Sequence, residues 1–126
     1  GIVDLAKIII EENKRNGIDT VLSEQGDEMS AKSISIAAKN GDAVAQEIYR
    51  VSAEHLGQAL SILIDILNPE AIIIGSIYTR DQALFDDIIK DVISKEALPA
   101  AAEACKILPG ALCEFVGDVA ALSLLF

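Results

Sequence analysis

The stretch NPEAIIIGSIYTRDQ, residues 68–82, runs a short apolar segment into Gly75 and Ser76 before a helix-like pattern resumes. In open α/β sheets, ligands sit outside the carboxyl ends of the strands. Glycine at such a place leaves no Cβ between a ligand and the main chain. The residues themselves admit two readings, a tight strand-to-loop turn or a backbone edge against which a ligand lies. The tail offers a second candidate. Gly117 and Ala121 are four positions apart and share a helix face, with Ala120 beside them. Small residues in that pattern suit either ordinary alanine-rich packing or a close helix crossing at an interdomain hinge.

Other reactive side chains are sparse. His55 is the single histidine and falls on an apolar helical stripe, which reads as a core or partly exposed residue rather than a ligand or base. Cys105 and Cys113 read as small buried hydrophobes. Asp86, Asp87 and Asp91 read as a solvated helix face, and Asp42 as a helix cap. No P-loop, GxSxG or Ser/His/Asp set can be assembled. No CxxC or HxxxH spacing exists, so a structural zinc site is not expected. No catalytic residue and no metal ligand is assigned.

The elements that would hold these residues follow from periodicity. The chain has 126 residues, 52% hydrophobic and only 4% aromatic, which suits one domain with an aliphatic core. Val3, Ala6, Ile9 and Ile10 mark a helix over 2–15, stopped by Gly17. Residues 18–29 read as a loop or a short irregular segment. Ser30 caps a helix to about 39, ended by Asn40 and Gly41. Asp42 caps the longest element, about 43–67, with Val44, Ile48, Val51, His55, Ala59, Ile62 and Ile66 at helical steps. Its second half is apolar on most faces and is expected to lie centrally. Asn68 and Pro69 end it.

Ala71 to Ile74 then reads as a parallel strand covered on both faces. Thr79 and Gln82 have capping-box spacing and predict a helix over about 80–96, closed by Leu98 and Pro99. An alanine-rich piece leads to a second short strand at 105–108, punctuated by Pro109 and Gly110. Residues 111–126 read as a last helix or pair of helical turns. The unit over 70–108 is therefore strand–helix–strand with a right-handed crossover. Two parallel strands alone leave bare edges, so the expected class is α/β and helix-rich, with either a token sheet or part of a larger one.

Charge limits the partners. A net charge of −10 repels a phosphate backbone, and Lys14, Arg15, Lys32 and Lys39 form no dense patch, so direct nucleic-acid contact is not expected. No apolar run approaches the roughly 20 residues of a membrane span, and no signal segment opens the chain. A cytoplasmic protein with reduced thiols is the default reading. Gly1 has no Met before it, which points to a processed chain or one cut from something longer.

The order of AAKNGDAVAQEIY, a long helix, LNPEAIIIGSIY and CKILPGALCEFVGDVAAL resembles the final part of ROK proteins, the repressors, open reading frames and sugar kinases. The resemblance covers about residues 34–126. It implies the carboxy-terminal lobe of a ribonuclease H-like, actin-like ATPase fold of the hexokinase type. Kinases of the family move the γ-phosphate of ATP, with Mg²⁺, to a hydroxyl of glucose, N-acetylglucosamine, N-acetylmannosamine, fructose or similar sugars. It also implies that Gly75, Ser76 and Ile77 lie beside the adenosine part of the nucleotide. Ser76 and Ile77 depart there from the family's glycine cluster, and Cys113 stands where glycine is common. Gly117 to Ala121 match the terminal helix near the interdomain connection.

The family's phosphate-binding Asp-and-Gly segment, catalytic Asp, sugar-contacting residues and Cys/His zinc motif would all lie upstream of residue 1. The expectation is therefore one domain over 1–126, a carboxy-terminal fragment or a truncated relative, not catalytically complete alone. Three functions are weighed. The first is the nucleotide-side part of a glucokinase-like sugar kinase. The second is the sugar-sensing, dimerising domain of a ROK repressor, with a DNA-binding helix-turn-helix outside the chain. The third is a helical oligomerisation module without ligand. Bare sheet edges and the long apolar helix point to a homo-oligomer in any case.

Overall fold

The computed structural model describes residues 1–75 and 77–110. Ser76, Cys113, Gly117, Ala120, Ala121 and the expected terminal helix lie outside the described residues. The chain begins with α1 (Ile2–Arg15), continues through two short 3₁₀ turns at Val21–Glu24 and Gly26–Glu28, and enters α2 (Ala31–Lys39) and α3 (Ala43–Leu67). There follow β1 (Ala71–Ile74), the single-turn α4 (Ile77–Arg80), α5 (Gln82–Glu96), α6 (Pro99–Ala104) and β2 (Lys106–Pro109). The described residues are thus helix-rich with a two-stranded parallel sheet, β1 paired with β2.

Local chemistry sets most boundaries. Gly17 takes φ +75° after α1, a conformation that favours glycine. The Ser30 hydroxyl accepts from the Ser33 amide at 3.2 Å, and the Ser33 hydroxyl accepts from the Ser30 amide at 2.9 Å. Asp42 accepts from the Ala45 amide at 2.9 Å and so caps α3. The same carboxylate accepts from the Thr20 hydroxyl at 2.8 Å and the Val21 amide at 3.1 Å, tying the irregular segment to the start of α3. Asn68 ends α3 in the left-handed conformation, φ 46°, ahead of Pro69.

α3 is the central element, packed against α5, α1, α2 and α6. Its contact with α5 is close because Gly57 faces Val92. A Cβ on Gly57 would stand 2.8 Å from the Val92 Cβ, nearer than real contacts allow. Tyr49 and Phe85 meet edge to face at 5.4 Å between centroids, and Tyr78 lies 6.1 Å from Phe85. All three rings are buried with Ile48 and Ile89. Each fully buried side chain of this size contributes roughly 1.5–3 kcal/mol.

Several expectations are corrected. The stripe of α3 holds at Val44 and Ile48 and, half-buried, at Val51, but not beyond. His55, Ala59, Ile62 and Ile66 are exposed, and Ala53, Gly57, Leu60, Ser61 and Ile64 are buried instead. The small residues Gly57 and Ser61 let α5 approach, and that contact rolls the buried face. The second half is therefore central on one side only, with Ile66 72% exposed.

Among the described residues β1 is covered on one face. Ile72 and Ile74 pack on the core, while Ile73 stands 69% exposed beside its register partner Leu108. The predicted helix over about 80–96 is α5, Gln82–Glu96, and a separate single turn, α4, precedes it before a break at Asp81. Thr79 does not cap, because its hydroxyl donates to the Ile74 carbonyl at 3.1 Å. Pro99 does not close a helix but opens α6, where its missing N–H costs nothing. Asp86 is not simply solvated, since it accepts from the Tyr78 hydroxyl at 2.6 Å. Cys105 is half-buried rather than buried.

Candidate functional site

β1 and β2 finish side by side in two glycines. The Gly110 amide donates to the Ile74 carbonyl at 2.9 Å, and a Cβ on Gly110 would lie 3.6 Å from the Gly75 Cα. Gly75 itself is not among the glycines of positive φ. No described heavy atom lies within 4 Å of the place a Gly75 Cβ would take. Neither backbone conformation nor packing among the described residues therefore demands glycine at 75. Among the described residues the carboxyl end of the sheet is an open main-chain edge.

The segment after the turn is pinned. Ile77 opens α4, whose length is about 6 Å at ~1.5 Å per residue. The Thr79 hydroxyl returns to the Ile74 carbonyl, so one oxygen accepts from both Gly110 and Thr79. Tyr78 is buried and bonded to Asp86 on α5. Burial pushes the Tyr78 phenol up to about 12, and the Asp86 carboxylate adds to the rise.

At the end of α4, Arg80 and the following Asp81 border a cleft of about 340 Å³ whose other wall is α2, with Lys32, Ser35, Ile36 and Lys39. Three of the ten basic residues of an acidic chain thus gather at one place, which favours an anionic ligand there over the rest of the surface. Asp81 forms the floor. Its side chain is 6% exposed and accepts from the Ser35 hydroxyl at 2.7 Å, the Tyr49 hydroxyl at 2.8 Å and the Lys39 ammonium at 3.1 Å. Burial alone would raise this carboxyl. The hydrogen bonds from Ser35 and Tyr49, with Lys39, outweigh it and hold the group below the ordinary value. The Tyr49 phenol is correspondingly pushed far up, first by burial and then by Asp81.

A larger hollow of about 570 Å³ lies between the first 3₁₀ turn and α2, lined by Val21, Ile36, Asn40 and Asp42 among others. Its carboxylate is already taken by Thr20, Val21 and the α3 cap, so the chemistry lies with the cleft. Among the described residues no group of three or more His, Cys, Asp or Glu side chains is placed to hold a metal ion. Nor is any described helix long and apolar enough to cross a membrane.

Of the residues singled out in the sequence, Gly75 stands at the open edge and Ile77 one turn before the cleft. Sequence reasoning missed Gly110 as the neighbour of Gly75. It also missed Arg80 as the partner of Lys32 and Lys39, and Asp81 as a buried group. The spacing of Ser35 and Lys39, four apart and so on one face of α2, was the one signal available.

The family model for the ROK family matches residues 13–125. The chain belongs to the ROK family. Among curated ROK relatives, it is 33% identical to the DNA-binding transcriptional repressor Mlc of Escherichia coli K12 over 75 residues, 60% of this chain and 18% of Mlc. It is 32% identical over 74 residues to the transcriptional dual regulator NagC of the same organism, again 18% of that protein. The chain thus spans under a fifth of the length of these relatives. Among solved structures, a ROK family transcriptional regulator homologous to E. coli Mlc superposes with a TM-score of 0.72 at 27% identity, over 86% of this chain and 26% of that one. A Cytophaga hutchinsonii protein assigned as a sugar kinase superposes with a TM-score of 0.79 at 19% identity, over 96% of this chain and 40% of that one. The last likeness is one of fold alone.

Proposed function

We propose that this chain is the nucleotide-side, carboxy-terminal part of an ATP-dependent ROK sugar kinase, glucokinase-like and cytoplasmic, with an actin-like ATPase fold in the intact protein. The observation that carries the reading is the open glycine edge at the carboxyl ends of β1 and β2, followed one turn later by a cleft bordered by Lys32, Lys39 and Arg80. Gly75, Ser76 and Ile77 would receive the adenosine part. The cations would favour the charged part of the same ligand, and ATP bound with Mg²⁺ supplies the phosphoryl group when present.

In this reading the part binds and orients the nucleotide, and the described residues offer no metal-ligating cluster. Phosphoryl transfer rests largely on positioning, which here is divided with a segment outside the chain. The test uses the longer protein that contains this chain. It is expected to phosphorylate at least one of glucose, N-acetylglucosamine, N-acetylmannosamine and fructose in an ATP-dependent assay. No transfer to any of them sinks the reading.

A second reading is favoured by the 33% and 32% identity to Mlc and NagC. In it the same lobe senses a sugar and dimerises within a transcriptional repressor, with DNA held by a segment outside residues 1–126. Sugar-dependent release from operator DNA, with no ATP turnover, is the outcome that selects it.

A further inference from the structure

We infer that Asp81 is a positioning residue for the nucleotide, an inference that rests on the kinase reading above. Asp81 occupies the N-cap position of α5, where aspartate usually accepts a backbone amide. It makes no such bond. The carboxylate turns inward and takes donors from two other helices, Ser35 and Lys39 on α2 and Tyr49 on α3. A local cap has been exchanged for a tertiary tie, and a carboxylate this buried persists only when so partnered.

The tie spans the cleft. One wall is α2, and the other is the α4–α5 bend that carries Arg80. Asp81 joins the two from below and fixes their separation. It also anchors the far end of α4. The same turn is held to β1 by Thr79 on the Ile74 carbonyl, the oxygen that also accepts from Gly110. The glycine edge and the cations therefore keep one spacing only while Asp81 stays bonded to α2 and α3. A nucleotide touching both ends requires that spacing.

The experiment uses the longer protein and a fluorescent ATP analogue. Ser35→Ala and Tyr49→Phe each remove a donor to Asp81 and leave every charge in place. Together they are expected to weaken nucleotide affinity about tenfold, and to raise KM for ATP by a similar factor with KM for the sugar unchanged. Asp81→Asn separates positioning from simple charge. Deleting a negative charge from the cleft would by itself tighten an anion, whereas loss of the tie weakens it. Weaker binding by Asp81→Asn supports the inference, and tighter binding overturns it. Variants with a lowered Tm but wild-type ATP affinity well below that Tm make the network merely structural and also overturn it. Tyr49→Phe alone, which keeps the ring against Phe85, serves if the double variant does not fold. A wild-type protein that binds no nucleotide removes the kinase reading and this inference together. A wild type that binds, with variants that bind equally, removes only this one.

Discussion

Asp81 and Tyr49 share one hydrogen bond that moves both groups in opposite directions. The sequence holds two tyrosines and no tryptophan, and both phenols are raised above the ordinary 10.0. Folded protein is therefore expected to show no phenolate absorbance near pH 10, the first signal arriving as Tyr78 titrates near about 12. A full tyrosinate step at pH 10 in folded protein contradicts the burial of both rings. A raised pKa in the folded state means stability that is complete below pH 10 and is lost as pH climbs through the folded values. The acid side has the opposite sign. Asp42 and Asp81 are both held below 3.8, each by hydrogen bonds that outweigh burial. Their stabilisation is present above that value and is lost as pH falls through the lowered ones. Acid unfolding followed by circular dichroism should show a shallower loss in Asp81→Asn. Gly57 supplies a third test. Alanine would gain up to about 1 kcal/mol of helix propensity. The contact with Val92 costs about 1–3 kcal/mol, and α5 cannot retreat without opening the core. Gly57→Ala is expected to lower the urea midpoint, and an unchanged midpoint would mean α3 and α5 cross less closely.

Elements whose limits depend on neighbours in sequence were legible. Ser30, Asp42, Asn68 and Pro69 mark ends by chemistry that reaches three or four residues, and the structure places the ends of α2 and α3 there. Asp42→Ala is expected to destabilise by about 1–2 kcal/mol, because the cap of α3 and the tie to Thr20 are lost together. Thermal unfolding measures it. What stayed hidden depends on distant partners. The second half of α3 is apolar nearly all round, so periodicity alone could not choose a face. The choice belongs to α5, through Gly57 and Ser61. The break between α4 and α5 was equally invisible. A sequence such as TRDQ reads as a cap until Ser35, 46 residues earlier, is known to lie against Asp81.

At the scale of the molecule, the open edge at Gly75 was foreseeable from a strand running into glycine. The cleft was not, because it needs α2 and the α4–α5 bend brought together by the fold. Among the described residues the same assembly leaves Ile62, Ile66, Ile73, Leu98 and Leu108 exposed, with Ile73 and Leu108 paired on one sheet face. Residues 1–126 expressed alone are expected to self-associate in sedimentation, and Ile73→Lys with Leu108→Lys to reduce the association. A stable monomer at high concentration would contradict the apolar face. The two margins of the sheet are unequal, however. Lys106 and Gly110 donate inward to Glu70 and Ile74, so alternation turns Ile107 and Pro109 outward. Proline has no N–H to offer there. A newcomer strand would find a missing donor on the β2 side and a full row on the β1 side. Among the described residues the sheet is thus an uneven template: β2 is the hemmed side, and an added strand is expected to be stitched on at β1.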